Sequence, residues 1–223
     1  MDYSFLQCGE GALTVHLGDG IDPAINRRVT ALQGAIGSAG LRGITDLIPA
    51  YADLTVCYDC TVISAKALQR QLRRLLDSLS VAGQDRRRVF RLPVCYGGDY
   101  GPDLDFVCHH SGLSAQEVIA LHSAPDYLIY MLGFLPGFAY LGGLDPRLHT
   151  PRLDSPRTCI PAGSVGIGGA QTGVYPLASP GGWQLLGRTP VSVFDRQRQE
   201  PILYRAGDLV HFVPISHAEY EEI

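Results

Sequence analysis

The chain has 223 residues, 46% of them hydrophobic and 18% charged, with a formal net charge of -4. That length and apolar content suffice for one large or two small buried cores. The mildly negative balance offers no field to gather phosphate backbones, so nucleic acid is not an expected partner.

The amino-terminal stretch MDYSFLQCGEGALTV has neither a basic segment nor an unbroken apolar run and does not resemble a secretion signal. With six cysteines and no signal, a reducing, cytoplasmic setting is expected. Leu13, Val15 and Leu17 alternate as in a strand. Asp22-Pro23 reads as an N-cap with proline in the first turn, and Ile25, Val29, Leu32 and Ile36 follow at helical spacing to a stop near Gly37 to Gly40. Residues 44–50 and 53–58 read as a strand pair. Ser64 caps a second helix with Leu68, Leu72, Leu75, Leu76 and Leu79 on one face, expected to stop near Gly83, and a strand follows at about Val89 to Val94. The order strand, helix, strand, strand, helix, strand is that of a ferredoxin-like α+β unit. Cys57 and Cys60 form a CxxC without a second ligand pair, and neither they nor Cys108-His109-His110 make a metal site expected. Arg70, Arg73, Arg74, Arg86, Arg87 and Arg88 read as a solvated basic face.

The composition changes near Tyr96, where Gly97 to Pro102 is rich in turn residues. Ser114 and Glu117 are spaced as a capping box opening a short helix through His122, ended by Pro125. The uncharged stretch from Tyr127 to Leu144 reaches the ~18-residue length of a membrane span. Pro136 and four glycines interrupt it and would leave backbone groups unpaired in lipid, so it reads as a buried strand running into a loop, with no membrane partner. Further apolar runs at 164–167, 191–194, 202–204 and 209–213, separated by Gly/Pro turns, suggest a closed or nearly closed β-barrel. The expected division is an α+β domain over residues 1–88 and a barrel over 89–223.

Three dense blocks stand in the second half: Gly133-Phe-Leu-Pro-Gly-Phe-Ala-Tyr-Leu-Gly-Gly143, Ile160-Pro-Ala-Gly-Ser-Val-Gly-Ile-Gly-Gly-Ala-Gln-Thr-Gly-Val-Tyr-Pro176 and Ser179-Pro-Gly-Gly-Trp-Gln-Leu-Leu-Gly-Arg-Thr-Pro190. With Pro93 to Gly98 and Gly207 to Pro214, they resemble the family that contains the 5-oxoprolinase B subunit, the sporulation-kinase inhibitor KipI and proteins labelled allophanate hydrolase subunit 1. The resemblance implies an N-terminal ferredoxin-like α+β domain followed by a cyclophilin-like barrel. It also implies a heteromer with a C-type subunit of related barrel fold and a separate A-type subunit. The composite reaction would convert 5-oxoproline, ATP and water to L-glutamate, ADP and phosphate. The alternative function is inhibition of a sporulation-type sensor histidine kinase.

Opening a resonance-stabilised lactam with ATP requires cations for phosphate and carboxylate, donors for a developing oxyanion and a proton-transfer group. Arg188, Arg152 and Arg157 offer guanidinium forks of that kind, or else pair structurally with a carbonyl or an aspartate. Gly163, Ser164 and the glycines through Gly169 either present backbone N–H groups to an anion or form a tight barrel corner. No phosphate-binding GxxxxGK[ST] motif exists and the lone lysine is Lys66, so ATP is expected to bind in part on a partner subunit. Gln171, Thr172 and Tyr175 are candidate site-lining groups, Tyr175 reading equally as a core aromatic. His122 is a candidate base or a packing residue at a helix end. Phe134, Pro136, Phe138 and Trp183 read either as interface anchors or as barrel filling.

Overall fold

Three hydrophobic clusters organise the described residues, one around Leu13, Leu32, Leu54 and Leu72, a second around Leu92, Ile129, Ile167 and Phe212, and a smaller third of Phe138, Ile160, Tyr175, Trp183 and Leu185. The computed structural model describes residues 3–79 and 87–223. The chain divides into two units, Met1–Arg86 and Arg87–Ile223.

The first unit contains β1 (Ser4–Cys8), β2 (Ala12–His16), α1 (Pro23–Ala39), β3 (Ile44–Pro49), β4 (Asp53–Tyr58) and α2 (Ala65–Asp77). Its antiparallel sheet runs β1-β2-β4-β3. Helix α1 starts because the Asp22 carboxylate accepts from the Ala24 and Ile25 N–H groups, and it stops at Gly40 in the left-handed region, φ 57°. Helix α2 is capped by Ser64 and turns Leu68, Leu72 and Leu76 into the core. It ends at Asp77, earlier than expected; Gly83 and Arg86 lie outside the described residues.

Two features depart from the sequence expectation. Strand β1 was not anticipated: only Phe5 is partly buried, so the inward and outward alternation that marks a strand is too faint. The strand expected to complete this first sheet instead belongs to the second unit as β5 (Val89–Tyr96), with Leu92 and Val94 in the barrel core. An apolar strand reads the same whichever sheet receives it, and the first sheet is completed instead by β1, which pairs with β2.

The second unit continues with α3 (Leu104–Ser111), α4 (Ala115–Ser123), β6 (Tyr127–Leu132), β7 (Ala139–Gly142), a 3-10 turn (Pro146–Leu148), β8 (Arg157–Ile160), β9 (Ser164–Gly168), β10 (Gln171–Val174), β11 (Ser179–Gly181), β12 (Gln184–Arg188), β13 (Leu209–Ile215) and α5 (His217–Glu222). Seven strands close a barrel in the order β10-β7-β6-β13-β5-β12-β9, with β10 returning to β9. All neighbours are antiparallel except β5 and β13. Strands β8 and β11 form a two-stranded ribbon. The uncharged stretch from Tyr127 to Leu144 resolves into β6, a loop and β7, and no described helix is long and apolar enough to cross a membrane. The runs expected as strands at 191–194 and 202–204 meet only in a single bridge, Phe194 with Ile202. They still deliver Val193 and Tyr204 to the core.

Candidate functional site

An aromatic pocket of ≈ 240 Å³ lies on the second unit. Its walls come from Phe138 just before β7, Tyr140 within β7, Tyr175 just after β10 and Trp183 just before β12. Phe138 meets Tyr140, Tyr175 and Trp183 edge to face at centroid distances of 5.0, 5.2 and 5.4 Å, the arrangement that ring quadrupoles favour. Phe138, Tyr175 and Trp183 are buried, whereas Phe134 at the rim is 61% exposed and packs edge to face on Phe138. The exposed Arg152 guanidinium stands 5.8 Å from the Trp183 ring and is the pocket's one charged lining group.

The glycine-rich block is the seat of Trp183. A Cβ at Gly168 would fall 2.4 Å from the indole Nε1, and one at Gly173 would fall 3.1 Å from its Cζ3. A Cβ at Gly181 would fall 2.5 Å from the Tyr175 hydroxyl. These glycines on β9, β10 and β11 clear space for aromatic side chains, which a reading of the block as an anion cradle misses.

Arg157 supports the pocket from outside it. Its guanidinium pairs with Asp103 at 2.6 Å and donates to the Trp183 carbonyl at 3.4 Å. The other Asp103 oxygen accepts from the Leu185 N–H at 2.6 Å. This is the pairing with an aspartate and a carbonyl that the sequence left open for Arg157. Burial raises the Tyr175 pKa, opposed by the Trp183 backbone N–H, Arg152 and Arg157, so the phenol stays protonated near neutral pH.

His122 and Thr172 meet elsewhere, inside the barrel. The Thr172 hydroxyl donates to the Gly166 carbonyl at 3.0 Å, so the His122 Nε2–H donates to Thr172 Oγ1 at 2.8 Å. Nδ1 is then left to accept from the Tyr96 hydroxyl at 2.7 Å. The ring stacks on Phe212 at 4.8 Å. Burial lowers the His122 pKa to about 3, so near pH 7 it is neutral with both nitrogens engaged.

Gly163, Ser164 and Arg188 form a third locus. Gly163 has φ 80°, and a Cβ there would lie 2.4 Å from the Thr189 carbonyl oxygen. Ser164 is directly opposite Arg188 in the β9–β12 register. This locus is tied to the pocket through Tyr175, whose N–H donates to the Ser164 carbonyl at 2.8 Å and whose carbonyl accepts from the Gly163 N–H at 2.7 Å. Gln171 is half-buried at the start of β10, opposite Gly168. Pro136 lines a shallow depression beside Phe134 and Leu135. The structure therefore gathers Phe134, Phe138, Arg152, Tyr175 and Trp183 at one pocket and sets His122, Thr172 and Arg188 apart from its lining. Tyr140 and Asp103 were missed; a tyrosine on a strand and an aspartate in a turn carry no pattern of their own. Among the described residues no group of three or more His, Cys, Asp or Glu is placed to hold a metal ion.

A mixed α+β chain with a closed barrel and one cation at the rim of an aromatic pocket has the makings of a protein that binds a small molecule. Residues 3–204 match the model of the carboxyltransferase domain, subdomains C and D. The 5-oxoprolinase B subunit of Bacillus subtilis (strain 168) is 42% identical over 98% of this chain and 95% of its own length. Its namesake from Escherichia coli O157:H7 is 45% identical over 92% of this chain and 93% of that protein. A solved structure of the protein TTHA0988 superposes with a TM-score of 0.81 at 41% identity, covering 92% of this chain but 40% of that longer one. The chain belongs to the carboxyltransferase subdomain C and D family, among the members that carry the 5-oxoprolinase B name.

Proposed function

We propose that the chain is the B subunit of a cytoplasmic, ATP-dependent 5-oxoprolinase, inactive alone and active with A-type and C-type partners. The carrying observation is identity of 42% and 45%, over nearly the whole chain, to two bacterial proteins of that name. The reaction consumes 5-oxo-L-proline, ATP and water and yields L-glutamate, ADP and phosphate. The pocket suits the cyclic substrate. Its aromatic walls pack a five-membered ring, and Arg152 at the rim faces a carboxylate with a guanidinium fork. Tyr175, kept protonated, serves as a hydrogen-bond donor to the lactam. Arg157 fixes the Trp183 backbone, and His122, neutral and fully engaged, holds β10 against α4 rather than moving a proton.

ATP phosphorylates the amide oxygen and leaves as ADP; water then adds to the activated ring carbon, the C–N bond breaks with the nitrogen leaving as the protonated amine, and a second water releases phosphate from the resulting acyl phosphate. No P-loop supports nucleotide binding by this chain alone, so ATP is assigned in large part to a partner subunit. The exposed Phe134 and its neighbour Pro136 are assigned to the contact with the C-type subunit. The first unit is read as a ferredoxin-like domain through residue 88, its edge strand replaced by β1, and the second as a cyclophilin-like barrel.

The test is ATP-dependent glutamate formation by the chain mixed with its A and C partners, each omitted in turn. Activity lost on omission of this chain supports the reading. No activity in the complete mixture refutes it and favours kinase inhibition, which an autophosphorylation assay detects.

A further inference from the structure

Helix α5 ends the chain without burying one of its own residues. Within the helix it is held by the Ser216 and Glu219 capping box, and against the barrel by Tyr100. The Tyr100 ring lies 4.2 Å from Tyr220 and 5.2 Å from His217, and its hydroxyl donates to the Glu221 carboxylate. The same ring faces the Arg188 guanidinium at 5.3 Å, and the Arg188 charge acts on the Tyr220 phenol, opposing the rise in its pKa that burial causes.

Arg188 otherwise lacks what a guanidinium requires. Among the described residues it forms no ion pair, and its Nε is buried with no partner. Ser164, directly opposite it and therefore on the same sheet face, is fully buried, and its Oγ is also unpartnered. Buried donors are normally satisfied, and a guanidinium beside an orphaned hydroxyl is the donor set that binds oxyanions.

We propose that α5 is a displaceable strap over an oxyanion site built on Arg188 and Ser164. A ligand phosphate or carboxylate competes with Tyr220 for the guanidinium, and binding it releases the tail. A six-residue helix with no buried residue is marginal by itself, so its detachment is among the least costly openings in the fold. The strap then acts as a conformational tax on the site, because the apparent affinity falls by the fraction of molecules in which the tail is open.

The test uses the full chain and a Tyr220→Ala, Glu221→Gln double variant, each titrated calorimetrically with inorganic phosphate and, separately, with 5-oxo-L-proline. The expected result is about tenfold tighter binding of one anion by the double variant, the strap being closed in about nine molecules in ten. The gain should vanish when Arg188→Gln is added. The arm that tightens identifies phosphate or carboxylate as the source. In the unmodified chain, saturation with that anion should speed hydrogen exchange of the α5 amides. Unchanged affinity in both arms overturns the proposal, as does a gain that survives Arg188→Gln. The inference stands apart from the oxoprolinase reading: a phosphate gain in the double variant, with no glutamate formed by the complete complex, leaves the strap intact and removes only that reading.

Discussion

At Gly168 the pocket depends on an absent side chain. Gly168→Ala places a methyl against the indole Nε1, and relief requires Trp183 to leave its seat. The expected cost is about 1–3 kcal/mol, typical of overpacking, measured by urea unfolding, together with a shifted emission spectrum from the chain's one tryptophan. Arg152→Met should leave stability unchanged, since the residue is exposed, and raise the KM for 5-oxoproline in the assembled enzyme about tenfold or more. His122 gives a pH signature. Its folded pKa, about 3, lies below the ordinary 6.5, so the unfolded chain binds the proton first. The stabilisation is complete above pH 6.5 and is lost by about 1.4 kcal/mol per pH unit as the pH falls towards 3. His122→Gln should flatten that slope in denaturation series run between pH 7 and pH 4. The aromatic residues of this site were visible in the sequence because they crowd Gly/Pro-rich blocks. The purpose of the glycines was not, since their steric partner Trp183 sits at a distance along the chain.

Among the elements, the helices were legible and the strands less so. Asp22, Ser64 and Ser114 each cap the helix that their position in the sequence announced, and Ser114 and Glu117 complete a capping box. Ser114→Ala should cost about 1 kcal/mol in thermal or urea unfolding. Strand membership was harder, because β5 carries an apolar pattern that suits either sheet, and its parallel pairing with β13 decides the matter. The β6–β7 loop holds Phe134 at φ 64°, the one non-glycine with positive φ among the described residues. Phe134→Gly removes that strain. It should therefore hold or raise the melting temperature while weakening association with the proposed C-type subunit, as read by analytical ultracentrifugation of the mixed proteins.

For the whole molecule, the Arg88–Asp208 ion pair joins residues 120 positions apart, beside a parallel pairing that runs the full length of β13. The described strands and helices of the first unit are complete by Asp77, so their sheet needs no strand that is synthesised later. The barrel has no such independence: β5 is the first of its strands to leave the ribosome, and it waits for β13, the last. During that interval Leu92 and Val94 have no finished interior to enter. Nascent chains stalled before Leu209 should thus present a protease-resistant amino-terminal half and a sensitive remainder. Full-length refolding should separate into a fast phase and a slower one set by long-range closure. Production of this protein in quantity is governed by how well the cell shelters an unclosed barrel while its final strand is still being made.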